Sequence, residues 1–305
     1  MKYSICITYF FDRPNIKYLI KELEKINSKN FEVIIRNDNP NHFLKIKTNL
    51  KKIKIINEKN KSIGEINSIK YLINKSKGKF ISIISDDDII SYRIFNEIKN
   101  LQTNKINSLI SFSDYDLKKL NKDIEYDFFS KDNLIKLFFS SKIHISGTIG
   151  TIYKAEFIKK NLNKICVKKY NFDTILFFLA VFDKKYFLKK KILGFNNFKT
   201  SKISSAEVDL NLYSHDTKEL FKIFSKNFNN DTYYLAILYE LRNYYSILFR
   251  KNTIFNYKNV NLHFSIFGLK KTFNRKIILF LKINFFLKIY LKKISIYLKN
   301  FFIFF

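Results

Sequence analysis

Residues 78–90 read GKFISIISDDDII. A glycine releases the chain into a short, almost wholly apolar run, and the run stops on three adjacent aspartates. Six residues of this kind, 80–85, suit a strand buried on both faces, as in a parallel sheet. The segments on either side agree. Upstream, residues 63–75 place Ile66, Ile69, Leu72 and Ile73 at helical spacing. Further upstream, residues 4–9, 31–36 and 53–56 are apolar strands, and 14–27 form a helix with Pro14 near its start. Strands that alternate with helices predict an α/β fold, a mostly parallel sheet with helices on both faces. Downstream, a helix is expected from about Ile89 to Leu101. After it come a strand at 108–113, a helix at 132–140, and a strand at 145–153 around two glycines. Helices are expected at 155–161, 173–182, 216–227 and 231–249.

In such sheets ligands bind past the carboxyl ends of the strands. Thr8 and Tyr9 end the first strand, Asn37, Asp38 and Asn39 follow the second, and Ser85, Asp86, Asp87 and Asp88 follow the fourth. Three strands thus deliver polar groups to one edge. Adjacent carboxylates repel one another, and a hard divalent cation removes that cost. Mg2+ or Mn2+ takes one or two carboxylates and fills its shell with phosphate oxygens and water. The competing reading makes the acids a cap for the helix at 89–101. Single residues are equally two-sided: Asp38 suits an Asx turn, Asp173 a helix cap, and His144 a structural role. Four His and two distant Cys make no zinc pattern, and no Gly-rich phosphate loop is present.

The motifs resemble those of inverting family 2 glycosyltransferases with the GT-A fold. SICITYFFDRPN (4–15) looks like that family's first strand and turn, and FEVIIRNDNP (31–40) like its second strand and acidic turn. GKFISIISDDDII looks like its metal-binding aspartate motif, in the form where Ser precedes the acids. NEKNKSIGEINSIKYLINKSKGKF (57–80) resembles the helix between them, with Asn67 at a position where Asn is frequent. The resemblance implies that Thr8 and Asp38 contact base and ribose, with Tyr9, Asn67 and Asp86 around the donor. It implies Asp87 as principal metal ligand, flanked by Asp86 and Asp88. A weaker likeness extends to about residue 204 through SGTIGTIYKAEFI (146–158), YNFDTILFFLAV (170–181) and FNNFKTSKIS (195–204). The second of these segments usually carries Glu-Asp and supplies the base. Here the pair is Phe172-Asp173, which leaves Asp173 as the candidate. Asn37 stands where an acid is common.

The expected organisation is a GT-A-like, Rossmann-like catalytic domain over 1–204 and a helical, basic and hydrophobic region over 205–305. The chain carries a net charge of +30 in 305 residues. Nearly all of that excess is Lys, and Arg, the residue that reads nucleic-acid bases bidentately, is scarce. The Lys, Asn, Ile, Phe and Tyr excess is what AT-rich codons produce, so no nucleic-acid partner is expected. Attraction to an anionic membrane needs only point charges. The tail KIILFLKINFFLKIYLKKISIYLKNFFIFF (276–305) is apolar but interrupted by Lys276, Lys282, Lys288, Lys292, Lys293 and Lys299, which disfavours a span and suits an interfacial helix. A helix packed on the protein itself is the plain alternative. No leader peptide is read at the amino end. The expected partners are a nucleotide-sugar donor (UDP- or dTDP-sugar), a glycan or lipid-linked acceptor and an anionic membrane surface. The expected setting is bacterial surface polysaccharide synthesis on the cytoplasmic face of the membrane. Two rival classes remain, a metal-dependent sugar nucleotidyltransferase and a non-catalytic basic protein that binds membrane or nucleic acid.

Overall fold

The computed structural model describes residues 3–10, 15–26, 30–98, 105–124, 131–140, 144–196, 208–249 and 257–303. The chain divides into two compact units, Met1–Ser205 and Ala206–Phe305.

The first unit is built on an eight-stranded sheet. Strand β1 (Tyr3–Tyr9) lies between β2 (Phe31–Asn37) and β4 (Phe80–Ser85), and β3 (Ile53–Asn57) pairs outside β2. All three pairings are parallel. Every residue of β1 is buried, which is why its sequence is largely apolar, with only the small polar residues Ser4 and Thr8, rather than alternating with charged ones. Helix α1 (Asn15–Glu24) packs Ile16, Leu19, Ile20 and Leu23 into the core with Ile5, Ile7, Val33 and Ile35. Pro14 lies outside the described residues. Helix α2 (Glu65–Lys75) buries Ile66, Ile69, Leu72 and Ile73, the face its spacing predicts.

Beyond β4 the pattern differs from the sequence reading. The segment read as a helix from 89 to 101 begins as strand β5 (Asp88–Ile90) and continues as a 3-10 helix over Tyr92–Glu97. The cause is a distant partner: β5 pairs antiparallel with Gly194–Asn196 of β8 (Tyr186–Asn196), a strand the sequence reading did not delimit. The strand expected at 145–153 is confined to β7, Thr151–Lys154. Strand β6 (Ser108–Asp114) completes the sheet in the order β3-β2-β1-β4-β7-β6-β8-β5. The β3-β2-β1-β4 half and the β6–β8 pair are parallel, while β7 and β5 pair antiparallel. Only Asp86 and Asp87 separate β4 from β5, although these strands stand far apart in the sheet order. Three Cα steps cover at most about 11 Å, so the far edge must curl back to the carboxyl end of β4. That curl makes a concave floor at the aspartates. Helices α3 (Lys131–Ser140), α4 (Ala155–Leu162) and α5 (Phe172–Asp183) complete the unit.

The second unit is helical: α6 (Leu210–Asn227), α7 (Asn230–Leu248), α8 (Tyr257–Ser265), a 3-10 turn over Ile266–Leu269 and α9 (Arg275–Ile303). Helix α8 was not anticipated. Asp209 caps α6 by accepting from Asn211 N and Leu212 N, and Asn229 caps α7 by accepting from Thr232 N. The core is aromatic, with Phe221, Tyr233, Tyr244 and Phe267 fully buried. Buried His263 stacks on Tyr244 at 3.8 Å between ring centroids, and its Nδ1 lies 3.0 Å from Ser214 Oγ.

Candidate active site

Three loops meet at the carboxyl ends of β1, β2 and β4. Asp86 is buried, and its Oδ2 accepts from Phe10 N at 2.9 Å, tying the β4 turn to the chain leaving β1. Asp38 N donates to Tyr9 O at 2.9 Å, and Asn39 Nδ2 to Phe10 O at 3.0 Å, tying the β2 turn to the same chain. Thr8 is buried in register with Arg36 and Ser85. The Tyr9 side chain is core, with its ring 6.0 Å from that of His42. Its place in the site is therefore carried by its backbone.

Asp38 is 3% exposed. Its carboxylate accepts from Ser62 Oγ (2.6 Å), Ile63 N (3.0 Å) and Gly64 N (2.8 Å). Arg36 stands 3.7 Å away, donates to Glu58 Oε2 at 2.5 Å and to Ser68 Oγ at 3.2 Å, and lies over the Tyr71 ring. Asp38 thus fixes the loop that leads into α2. Gly64 makes that entry at φ +83 with open space where a Cβ would be, so the need for glycine there is one of backbone conformation. Asn67 is exposed on the first turn of α2 and donates to Ile63 O at 2.8 Å.

The three aspartates are not equivalent. Asp86 and Asp88 are buried, and Asp87 is half-exposed. The residues directly after Asp87 form strand β5 and then a 3-10 helix, so the acids do not sit at the start of an α-helix; the 3-10 turn is capped by Ser91, which accepts from Arg93 N. Burial, and then the charges of Asp87, Glu65, Asp86 and Asp173, push the Asp88 carboxyl well above the ordinary aspartate range. Glu65 opens α2 and accepts from Ser85 Oγ at 3.0 Å. It keeps contact with solvent, but the surrounding protein dehydrates it. That dehydration, with the charges of Asp87, Asp86 and Asp173, raises its carboxyl to about 7 against the Ser85 hydrogen bond.

Asp173 is exposed in the first turn of α5. Its charge is felt at Glu65 and Asp88, and also at His144 and Tyr153. The fold therefore brings it to the aspartate turn across more than eighty residues of sequence. Burial lowers the His144 pKa, and its Nδ1 lies 2.5 Å from Ser113 Oγ, a structural setting. Asp114 and Asp116 are engaged elsewhere: Asp114 pairs with Lys119 at 3.1 Å, and Asp116 accepts from Lys118 N. Glu65 was missed by reading only the residues just past strands. The available signal was an acid placed directly after the lone Gly64 at a helix start.

Gly147 explains how α5 comes so close. A Cβ there would lie 2.0 Å from Asp173 O and 2.6 Å from Phe177 N, both backbone atoms. Gly147→Ala is expected to destabilise the first unit by about 2 kcal/mol through overpacking and to lower turnover by displacing Asp173. Urea unfolding together with initial rates checks both; an unchanged midpoint would show that the loop yields freely.

The charges of Asp86, Asp87 and Asp173 all raise both Glu65 and Asp88, so these five carboxylates lie near one another. They are hard oxygen donors carrying excess negative charge, which fits a hard divalent cation. Among the described residues, no three acidic, His or Cys groups enclose a cation by themselves.

Residues 4–162, just over half of the chain, match the family model described as Glycosyl transferase family 2. Among solved structures, S. aureus TarS 1-349 in complex with UDP-GlcNAc is similar with a TM-score of 0.59 and 12% identity, over 88% of this chain and 80% of that one. The mannosyltransferase PcManGT from Pyrobaculum calidifontis, in complex with GDP-Man and Mn2+, is similar with a TM-score of 0.51 and 8% identity, over 94% of this chain and 80% of that one. At these identities the likeness is one of fold. No curated protein matches the sequence.

Proposed function

Because the chain belongs to glycosyl transferase family 2, we propose that this glycosyltransferase moves one sugar from a UDP- or dTDP-sugar to a hydroxyl of a glycan or lipid-linked acceptor, with inversion, in bacterial surface polysaccharide synthesis. The observation that carries the reading is that Asp86, Asp87 and Asp88 stand at the carboxyl end of β4, next to the ends of β1 and β2, with Asp173 near enough for its charge to act on Asp88. The catalytic domain is assigned to residues 1–204 and membrane attachment to 205–305.

Thr8, Asp38 and Asn67 line the nucleoside end, with the Tyr9 backbone and Asp86 holding the turns in place. Asp87, flanked by Asp86 and Asp88, would hold a Mg2+ or Mn2+ ion, which would neutralise charge on the leaving diphosphate. Asp173 takes the acceptor hydroxyl proton as that oxygen attacks the anomeric carbon from the face opposite the diphosphate. The new C–O bond forms as the bond to the diphosphate oxygen breaks, and the nucleoside diphosphate leaves with the electron pair. Water exclusion falls to the closed, buried floor made by β4 and β5. The second unit would hold the enzyme on the cytoplasmic face of an anionic membrane, where a lipid-carried acceptor is found.

Calorimetric titration of UDP and dTDP with and without Mn2+ tests the reading. Binding of one of them should tighten about tenfold or more with Mn2+, a gain of ~1.4 kcal/mol. Failure of both nucleotides to bind with the ion present would overturn it. Pyrophosphate release from a nucleoside triphosphate and a sugar phosphate would instead identify a nucleotidyltransferase.

A further inference from the structure

Helix α9 has two apolar faces. On one, Leu281, Phe285 and Ile289 are buried against the second unit, and Phe285 packs on Phe264 at 5.3 Å and on Tyr244 and Tyr245 at 6.1 Å. On the other, Phe280, Ile283, Leu287, Tyr290 and Ile294 are open to solvent, with Phe280 64% exposed. At 3.6 residues per turn the two faces point in nearly opposite directions. Lys282 and Lys293 run along one border between them, Lys288 lies near the other, and Lys292 lies on the packed side, in line with Phe285. Lys292 leans over the Phe249 ring at 4.2 Å. Lys276 sits at the amino-terminal end of the open face. Residues 275–303 contain no Asp or Glu. Among the described residues no helix is long and apolar enough to cross a membrane.

We propose that the open face of α9 docks on an anionic lipid surface, the helix lying parallel to the bilayer and half sunk in it. This rests on the membrane attachment proposed above, and it names the face that makes it. The inner face stays on the protein while the outer one enters the acyl boundary. The two lysine borders lie at headgroup depth, where their stems reach along apolar surface and their ammonium groups meet phosphates. The Tyr290 ring suits the same boundary, apolar in body and polar at its tip. The heptad spacing of the open residues would also suit pairing with a second copy. That pairing would bring lysine borders together with no acid on α9 to meet them, whereas an anionic surface satisfies both borders at once.

The chain contains no Trp, so a single introduced Trp reports its own surroundings. In the full-length protein, Leu287→Trp and Ile283→Trp should shift to the blue on vesicles containing phosphatidylglycerol and be quenched by lipids brominated in the acyl chain. Both effects should be weak on phosphatidylcholine alone, and Tyr245→Trp, packed against Phe285 on the inner side, should change little. Added salt should reduce the bound fraction without abolishing it, because burial is not screened. The double variant Ile283→Lys, Leu287→Lys should lose about tenfold or more of its vesicle binding while binding nucleotide as before. Two results overturn the proposal: no vesicle-dependent shift in a protein whose circular dichroism is unchanged, or a shift that appears without vesicles and grows with protein concentration. The second would assign the face to a second copy. Nucleotide binding is read separately, so failure here leaves the transfer reading standing, and failure there leaves this one.

Discussion

Asp87→Ala is expected to abolish sugar transfer while the first unit stays folded. Asp87 is the half-exposed member of the three aspartates and occupies the turn between β4 and β5 rather than the core. Removing it deletes no buried apolar surface. It also relieves repulsion, because Asp87 is the neighbouring charge that raises Asp88 most. Thermal stability should therefore hold or rise slightly. Activity should fall because the site loses the carboxylate proposed to hold the ion that offsets the diphosphate charge. Retention of more than about a tenth of the rate, a barrier change under ~1.4 kcal/mol, would show that this carboxylate is not the ligand. The comparison with Asp86→Ala is informative. Asp86 also accepts from Phe10 N, so its loss should cost stability as well as rate.

For Asp173→Asn the expected loss is in turnover alone. Asn keeps the side chain's shape and an oxygen at the start of α5 but cannot accept a proton, so kcat should drop about 10²-fold or more. Donor affinity should scarcely move, because Asp173 enters the cleft from the α5 side rather than from the strand ends proposed to hold the nucleotide. Steady-state kinetics with the donor varied separates the two effects. Equal turnover would move the base elsewhere, and the engaged state of Asp114 and Asp116 makes each a poor substitute without rearrangement.

The first four strands were legible for a simple reason. A parallel strand covered on both faces is largely apolar, so β1, β2 and β4 announce themselves without their neighbours. Helix α2 was legible because its buried face recurs at helical spacing. The stretch 89–101 misled for the converse reason. Ile89, Ile90, Ile94 and Ile98 are all buried and fit a helical stripe, but a strand partner about a hundred residues later claims Asp88–Ile90. Strand β8 carries Lys189, Lys190 and Lys191 in its middle, which interrupt any apolar or alternating run, and its pairing with β6 is broken by register shifts. Local spacing records what faces the core; it does not record which distant segment lies alongside.

The same division holds for the site and for the tail. The sequence alone determined the α/β class, the strand-end acids and the mixture of lysine with large apolar residues in 276–305, because each is a local pattern of side chains. The tertiary structure decided that a strand rather than a helix starts at Asp88, that Glu65 and Asp173 lie near the aspartates, and that Asp38 holds the loop entering α2. It also divided the apolar residues of α9 between a packed face and an open one. Each of these depends on which segments the folded chain brings within a few ångströms, and burial and charge act across that distance whatever the separation in sequence.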